Sequence, residues 1–352
     1  MVIKRTSLSL IFLLNIVLVI NFIKLPKYLI SNLYYLPTTT HMNRFTIAIH
    51  GGAGTISRRK MKPSMENTYR AGLQSALEKG FSILEKGGSS VEAVLEAVMN
   101  LEDNELFNAG KGSVFTNDGS HEMDASIMEG KSLTAGAVGA VKNIRNPIYL
   151  ADQIRLHSGH VFLGGEGALD FARQQGVAIE NNDYFFSQFR YDQWQKVKGS
   201  DTFQLDHTDQ PIDEKKFGTV GAVACDQFGN LAAATSTGGM TNKKFGRMGD
   251  TPVIGSGTYA NNASCAISCT GYGEIFLRAV AAYDVSALME YRGYSLQQAM
   301  YEVVHKKLVA MEGEGGMIGV DAKGNSALLF NSDGMYRGVK SNDGTIAVDI
   351  YR

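Results

Sequence analysis

A polar run from about Lys196 to Lys216 divides this chain, and the segment that follows it narrows the available folds more than any other. Gly-Ser, Asp-His-Thr-Asp-Gln-Pro and Asp-Glu-Lys-Lys succeed one another there, and no hydrophobic period can be drawn through them. The stretch reads as a flexible linker spanning residues 196–218. Directly after it, Thr219–Cys225 and Leu231–Thr235 are strand-like runs joined by Asp226–Asn230, a hairpin-length loop with a glycine. Whatever the fold, it must start a fresh β-hairpin at Thr219 after a loose connection.

Upstream of the linker, helices and strands are mixed. Phe45–Ile49 alternates and is β-branched, as a buried strand should be, and it ends in the glycine-rich turn His50–Gly54. The spacing of Leu73, Leu77, Ile83 and Leu84 predicts a helix over about Met65–Lys86, stopped by Gly87-Gly88. Ser89-Ser90-Val91-Glu92 resembles a capping box opening a second helix through Met99. Strands are expected around Glu122–Met128 and Thr134–Val141, with a helix after Asn146-Pro147. Downstream, helices are expected at about Glu274–Met289 and Ser295–Met311, and a strand pair around Asp321–Asn325. Paired strands flanked by helices suggest an α+β fold of sheet layers covered by helices on the outside.

Composition excludes more than it selects. With 44% hydrophobic and 20% charged residues the chain is globular, and a net charge of −1 is not that of a nucleic-acid-binding surface. Cys225, Cys265 and Cys269 are three in number, fit neither a disulfide framework nor a zinc site, and read as small core residues. The seven histidines show no metal-ligand spacing, so any metal should be a structural hard cation. The glycines of His50–Gly54 lack the G-K-[ST] or spaced acidic residue of a nucleotide site.

Residues 1–41 are unlike the rest. An aliphatic run, Leu8 to Ile23, follows Lys4-Arg5 as in a secretory signal, yet no A-x-A-like cleavage site follows and the run is short for a membrane span. It reads as an anchor, an atypical signal, or sequence upstream of a start at Met42. The chain is exported or membrane-anchored if residues 1–41 are retained, and cytoplasmic if translation starts at Met42. Without the four basic side chains of that segment the net charge goes from −1 to −5.

The chemistry concentrates after the linker. A threonine hydroxyl is a weak nucleophile alone, and cutting the Gly218–Thr219 bond would free an α-amine that can serve Thr219 as its base. Gly218 permits the close or strained backbone such a cut requires. Thr235-Ser236-Thr237-Gly238-Gly239 ends the next strand and brings a hydroxyl cluster beside Thr219. In Gly246-Arg247-Met248-Gly249-Asp250, Arg247 can grip an α-carboxylate and Asp250 can pair with an α-ammonium. In Thr270-Gly271-Tyr272-Gly273-Glu274, the Thr270 hydroxyl and the Gly271 N–H can form an oxyanion hole at a helix start. Each motif alone has a plainer reading: a solvated turn, a surface salt bridge, a tight turn.

Taken in order, these motifs, with Tyr259-Ala260-Asn261-Asn262, His50–Gly54 and Leu106–Gly112, resemble the plant-type L-asparaginase / isoaspartyl peptidase family of N-terminal-nucleophile hydrolases. The resemblance covers about Phe45 to Arg352. It implies a four-layer αββα sandwich whose precursor cuts itself into an α subunit, residues 42–218, and a β subunit, residues 219–352, with two such pairs assembling. It implies that Thr219 is the nucleophile, assisted by Thr237, that Arg247 and Asp250 hold the substrate, that Thr270 and Gly271 stabilise the oxyanion, and that Gly273 adds a backbone contact. The substrates implied are L-asparagine and β-aspartyl dipeptides, with no catalytic cofactor. A structural sodium ion is implied on the carbonyls of Leu101, Glu102, Asn104, Phe107, Ala109 and Lys111. Tyr272 departs from the small or polar residue usual at its position, which bears on pocket size. Glycosylasparaginases share the Thr-Val-Gly start and the clamp, but Gly218 and Tyr272-Gly273-Glu274 favour the peptidase side. A membrane-anchored amino-acid-binding scaffold is the alternative from another class, and the full set of Thr219, Thr237, Arg247, Asp250 and Thr270 argues against it.

Overall fold

The computed structural model describes residues 44–59, 61–200 and 216–352, so the hydrophobic N-terminal run and linker residues 201–215 lie outside the described residues. The first half contains β1 (Thr46–Gly54), α1 (Pro63–Glu85), α2 (Ser90–Glu102), β2 (Met123–Glu129), β3 (Ala135–Val141), α3 (Pro147–His157), β4 (Phe162–Gly164), α4 (Gly165–Gln174) and α5 (Gln188–Val197). The second contains β5 (Lys216–Phe217), β6 (Val220–Cys225), β7 (Leu231–Thr237), β8 (Thr258–Ala260), β9 (Cys265–Gly271), α6 (Gly273–Ala279), α7 (Ala281–Arg292), α8 (Leu296–Tyr301), β10 (Gly315–Asp321), β11 (Ser326–Phe330), β12 (Gly334–Ser341) and β13 (Ile346–Tyr351).

Strand alternation explains the layering. Side chains on a strand point to opposite faces in turn. Ile47, Ile49, Ala222, Ala224, Ala232 and Ala234 face one way and pack with Leu73, Leu77, Val94 and Ala97 of α1 and α2. Ala48, Val223, Cys225, Leu231 and Ala233 face the other way and meet Ala266, Ile318 and Val320 of a second sheet. That sheet turns Ile267, Cys269 and Met317 outward onto Phe276, Val285, Met300 and Val304. The two sheets run β13-β12-β1-β6-β7-β2-β3-β4, with β5 on β1, and β11-β10-β9-β8. The result is helix, sheet, sheet, helix: the αββα sandwich. Each of the larger side chains buried in these layers, such as Ile, Leu, Val, Phe and Met, contributes about 1.5–3 kcal/mol, and strands covered on both faces read as near-continuous apolar runs. The three cysteines are free and buried, as core residues should be.

The local signals at α2 are explicit. Ser89 Oγ accepts from the Glu92 N–H at 3.2 Å and Glu92 Oε2 accepts from the Ser89 N–H at 2.8 Å, the reciprocal box read from the sequence. Elsewhere the chain departs from expectation. The helix expected over Glu274–Met289 is broken at Val280, whose φ of 50° and ψ of 49° are left-handed. That conformation costs a β-branched residue about 1–2 kcal/mol, so nothing local predicts it. Tertiary bonds hold it: the N–H groups of Ala282 and Tyr283 donate to the carbonyls of Ser256 (3.2 Å) and Gly255 (2.8 Å). The break keeps α6 short, with its N-terminus directed at the cleft described below. The helix expected over Ser295–Met311 holds an internal π-helical run, Glu302–Lys307. The polar stretch starts later than expected, because α5 continues to Val197 and buries Arg190, Gln193, Trp194 and Val197.

Candidate active site

Hairpin chemistry sets the centre of the site. Asp226 caps the β6–β7 loop, with Oδ1 accepting from the N–H groups of Phe228 and Asn230 at 2.9 Å each, and Gly229 supplies the left-handed residue at φ 79°. The register this fixes opposes Val220 to Ser236, so the next residues along, Thr219 and Thr237, meet. Thr219 Oγ1 donates to Thr237 Oγ1 at 3.2 Å, and Thr237 Oγ1 donates to the Gly218 carbonyl at 2.9 Å. By strand parity both threonines face the space between the sheets, at its open end.

A residue that sequence reasoning did not single out completes this centre. Asn108 Nδ2 donates to the carbonyls of Gly218 (2.9 Å) and Gly239 (2.8 Å), while its Oδ1 accepts from the Val114 N–H at 3.0 Å. The carbonyl before Thr219 therefore receives two protons, one from Asn108 and one from Thr237. The signal available in the sequence was only its place within Leu106–Gly112.

The second half of the cleft comes from the segment before β8 and from the β9–α6 junction. Gly218, Thr219, Thr237, Gly239, Met240, Arg247, Gly249, Asp250, Thr251, Gly271 and Gly273 line one cleft. The structure thus brings together Gly218, Thr219, Thr237, Arg247, Asp250, Gly271 and Gly273. Thr270 lies behind them, fully buried, with its hydroxyl oxygen accepting from the Ala53 N–H at 3.3 Å. The Tyr272 ring is packed against the outer helical layer and does not line the cleft.

Arg247 is already engaged. Its Nε and Nη2 donate to the two carboxylate oxygens of Glu274 at 2.8 and 2.7 Å, a bidentate pair. A guanidinium has five N–H groups, so the end-on fork of Nη1 and the second Nη2 proton remains for another carboxylate. Asp250 is the opposite case. It is buried, its Oδ2 has no hydrogen-bond partner among the described residues, and burial pushes its pKa up to about 7, against the pull of Arg247. A buried carboxylate lacking a partner is costly, and a cationic group entering the cleft would relieve that cost.

Gly273 leaves the room in which Arg247 and Asp250 stand side by side. A Cβ there would sit 2.9 Å from both Arg247 Nη2 and Asp250 Oδ1. Gly273→Ala should therefore raise KM for β-aspartyl-leucine about 10- to 100-fold through displaced clamp groups. Cleavage into fragments should persist. Steady-state kinetics check this, and an unchanged KM would count against the clamp geometry.

The carbonyls expected to hold a cation lie on the last turn of α2, at Leu101 and Glu102, and on the loop that follows it. Gly110 is left-handed there, with φ 51°, and a Cβ on it would fall 2.5 Å from the Glu102 carbonyl; one on Gly112 would fall 2.1 Å from that of Phe107. The Glu102 and Phe107 carbonyls thus lie close against glycines, and main-chain oxygens are ligands of the kind a hard cation takes.

Stacked sheets between helical layers, with a threonine hydroxyl at the mouth of the inter-sheet space beside the carbonyl that precedes it, define the class of N-terminal-nucleophile hydrolases. The comparisons agree with that class. Residues 43–350 match the asparaginase family, and the chain belongs to it. It is 52% identical over 312 residues to an isoaspartyl peptidase of Salmonella typhimurium, covering 88% of this chain and 100% of that protein. An isoaspartyl peptidase of Escherichia coli is 51% identical, covering 88% and 97%. An isoaspartyl peptidase/L-asparaginase of Xenopus laevis is 42% identical over 290 residues, covering 82% and 90%.

Proposed function

We propose that this chain is a self-processing threonine hydrolase that cleaves β-aspartyl dipeptides and converts L-asparagine to aspartate and ammonia. The observation that carries this reading is a single cleft. It joins a threonine pair, a doubly hydrogen-bonded Gly218 carbonyl, and a buried Asp250 with an unpartnered oxygen beside Arg247.

In processing, Thr219 Oγ attacks the Gly218 carbonyl carbon, and the oxyanion that forms is met by the Asn108 amide and the Thr237 hydroxyl. Collapse breaks the C–N bond as the proton lost by Thr219 Oγ passes to the departing Thr219 nitrogen, and water hydrolyses the resulting ester. The products are a chain ending at Gly218 and a chain whose first residue is Thr219. In hydrolysis the new α-amine takes the Thr219 hydroxyl proton as Oγ attacks the substrate β-carbonyl. Gly271, which lines the cleft, offers its N–H to the oxyanion, and the buried Thr270 hydroxyl stands behind it. The proton passes to the departing ammonia or amino acid, and water then releases aspartate. Arg247 and Asp250 hold the α-carboxylate and α-ammonium, so selectivity lies in the aspartyl half. Gly273 lies against both clamp groups.

The chemistry uses no cofactor. A sodium ion on the carbonyls of Leu101, Glu102, Asn104, Phe107, Ala109 and Lys111 would brace the turn that carries Asn108. Two αβ pairs form the assembly. The purified protein should hydrolyse β-aspartyl-leucine and asparagine but leave an N-glycosylated asparagine intact. Release of the glycan amine with no turnover of the dipeptide would assign the chain to the glycosylasparaginases instead.

A further inference from the structure

We propose that His50 is a positioning residue for the nucleophile, fixing the peptide plane of Thr219 through a hydrogen bond to its carbonyl. The proposal rests on the assignment of Thr219 made above. His50 is fully buried in the middle of β1, at its register shift, with Nδ1 3.0 Å from the Thr219 carbonyl and Nε2 2.9 Å from Ser268 Oγ.

Valence fixes the proton positions. A carbonyl only accepts, so Nδ1 carries hydrogen. Burial drives the His50 pKa down to about 3, which leaves the ring neutral and Nε2 a bare acceptor. Ser268 must then donate to Nε2. Its oxygen, 2.7 Å from Thr235 Oγ1, accepts from that hydroxyl in turn, and Thr235 accepts from Thr258 at 2.6 Å. Ser126 Oγ, 2.8 Å from Thr258 Oγ1 and 2.6 Å from the Thr251 carbonyl, has one proton for the two, and donated to Thr258 it starts the chain at its far end. This one-way chain of hydroxyls crosses the space between the sheets and sets both the tautomer and the tilt of the imidazole. Gly221 leaves the room for it, since a Cβ there would lie 2.0 Å from Ser268 Oγ and 2.4 Å from His50 Nε2.

Such a device is needed because Thr219 lies outside the ladders. The last pairs of β6 are His50 with Gly221 and Val220 with Ser236. After processing, Thr219 becomes a chain terminus, and termini fray unless tied down. Holding its carbonyl fixes ψ, and with it the directions in which the α-amine and Cβ leave Cα. A displacement of about 1 Å at a reacting atom costs on the order of 100-fold in rate.

Three substitutions separate this role from bulk packing. The side-chain amide of His50→Asn lies near the Nδ1 position and can still donate to Thr219, whereas that of His50→Gln lies near Nε2 and cannot. His50→Leu makes neither bond. With kcat normalised to the processed fraction on a denaturing gel, His50→Asn should stay within about 10-fold of the parent. Gln and Leu should lose about 100-fold, with KM for β-aspartyl-leucine unchanged. Equal losses in all three variants, losses that merely follow the fall in Tm, or full activity in His50→Gln would overturn the proposal. If the His50 variants do not fold, Ser268→Ala serves, with kcat expected to fall several-fold at constant KM, and a parental kcat would overturn it. None of these outcomes touches the assignment of Thr219, which stands or falls on Thr219→Ala.

Discussion

Replacing Thr219 by alanine should leave a chain that runs as one band on a denaturing gel and turns over neither β-aspartyl-leucine nor asparagine. Both effects follow from one missing atom. The Gly218 carbonyl is held by Asn108 and Thr237 at 2.9 Å each, a pre-formed site for the charge that would develop on its oxygen. Those donors do nothing without an attacking oxygen, and the nearest hydroxyl, that of Thr237, already points its proton at this carbonyl. In the uncut chain the Thr219 nitrogen is an amide and cannot act as a base, so hydrolysis waits on processing. The expected loss of hydrolysis is on the order of 10⁵-fold or more, the size found when a nucleophile is removed from a site that keeps its oxyanion donors. Thr219→Ser keeps the oxygen and should still cut itself. Fragments, or any sustained turnover, from the alanine variant would place the nucleophile elsewhere. Mass spectrometry of the parent should give the complementary result, a fragment whose N-terminus is Thr219.

Much of this was legible in the sequence because it is local. The capping box at Ser89, the Asp226–Asn230 hairpin, the alternation of Phe45–Ile49 and the strand-like runs on either side of the hairpin all follow from residues within a few positions of one another. That is the range over which propensity and turn chemistry act. What escaped is what depends on contacts distant along the chain. Asn108 meets Gly218 across 110 positions, and His50 meets Ser268 across 218. A polar residue in a glycine-rich loop looks the same whether it caps that loop or reaches another strand. The break at Val280 was hidden for a related reason: its backbone is set by bonds to Gly255 and Ser256 against its own preference. Glu274 was read only as the end of a motif, and its pairing with Arg247 was visible only once α6 was seen to start beside the clamp.

Asp250→Asn should separate binding from catalysis, and its pH dependence gives the sign. In the free enzyme burial raises the Asp250 pKa to about 7, so the carboxylate is ionised only above neutrality. The substrate ammonium stays protonated through this range and binds the ionised form. For the parent, kcat/KM should therefore fall as pH drops through about 7. In the asparagine variant, which has no charge to gain or lose there, that limb should vanish and KM should rise about 100- to 1000-fold. Self-cleavage should continue, because Asp250 does not touch Gly218. Stability should move the other way. A folded-state pKa raised above the ordinary carboxylate value means the native state holds its proton more tightly than the unfolded chain does. Stability without substrate is then lost as pH rises from the usual carboxylate range to about 7. Asp250→Asn removes that loss, so above pH 7 the variant should melt higher than the parent while binding substrate far worse. Identical acid limbs in the two proteins, or a variant that melts lower across the whole range, would mean that the unpartnered oxygen of Asp250 is not the seat of the substrate's positive charge.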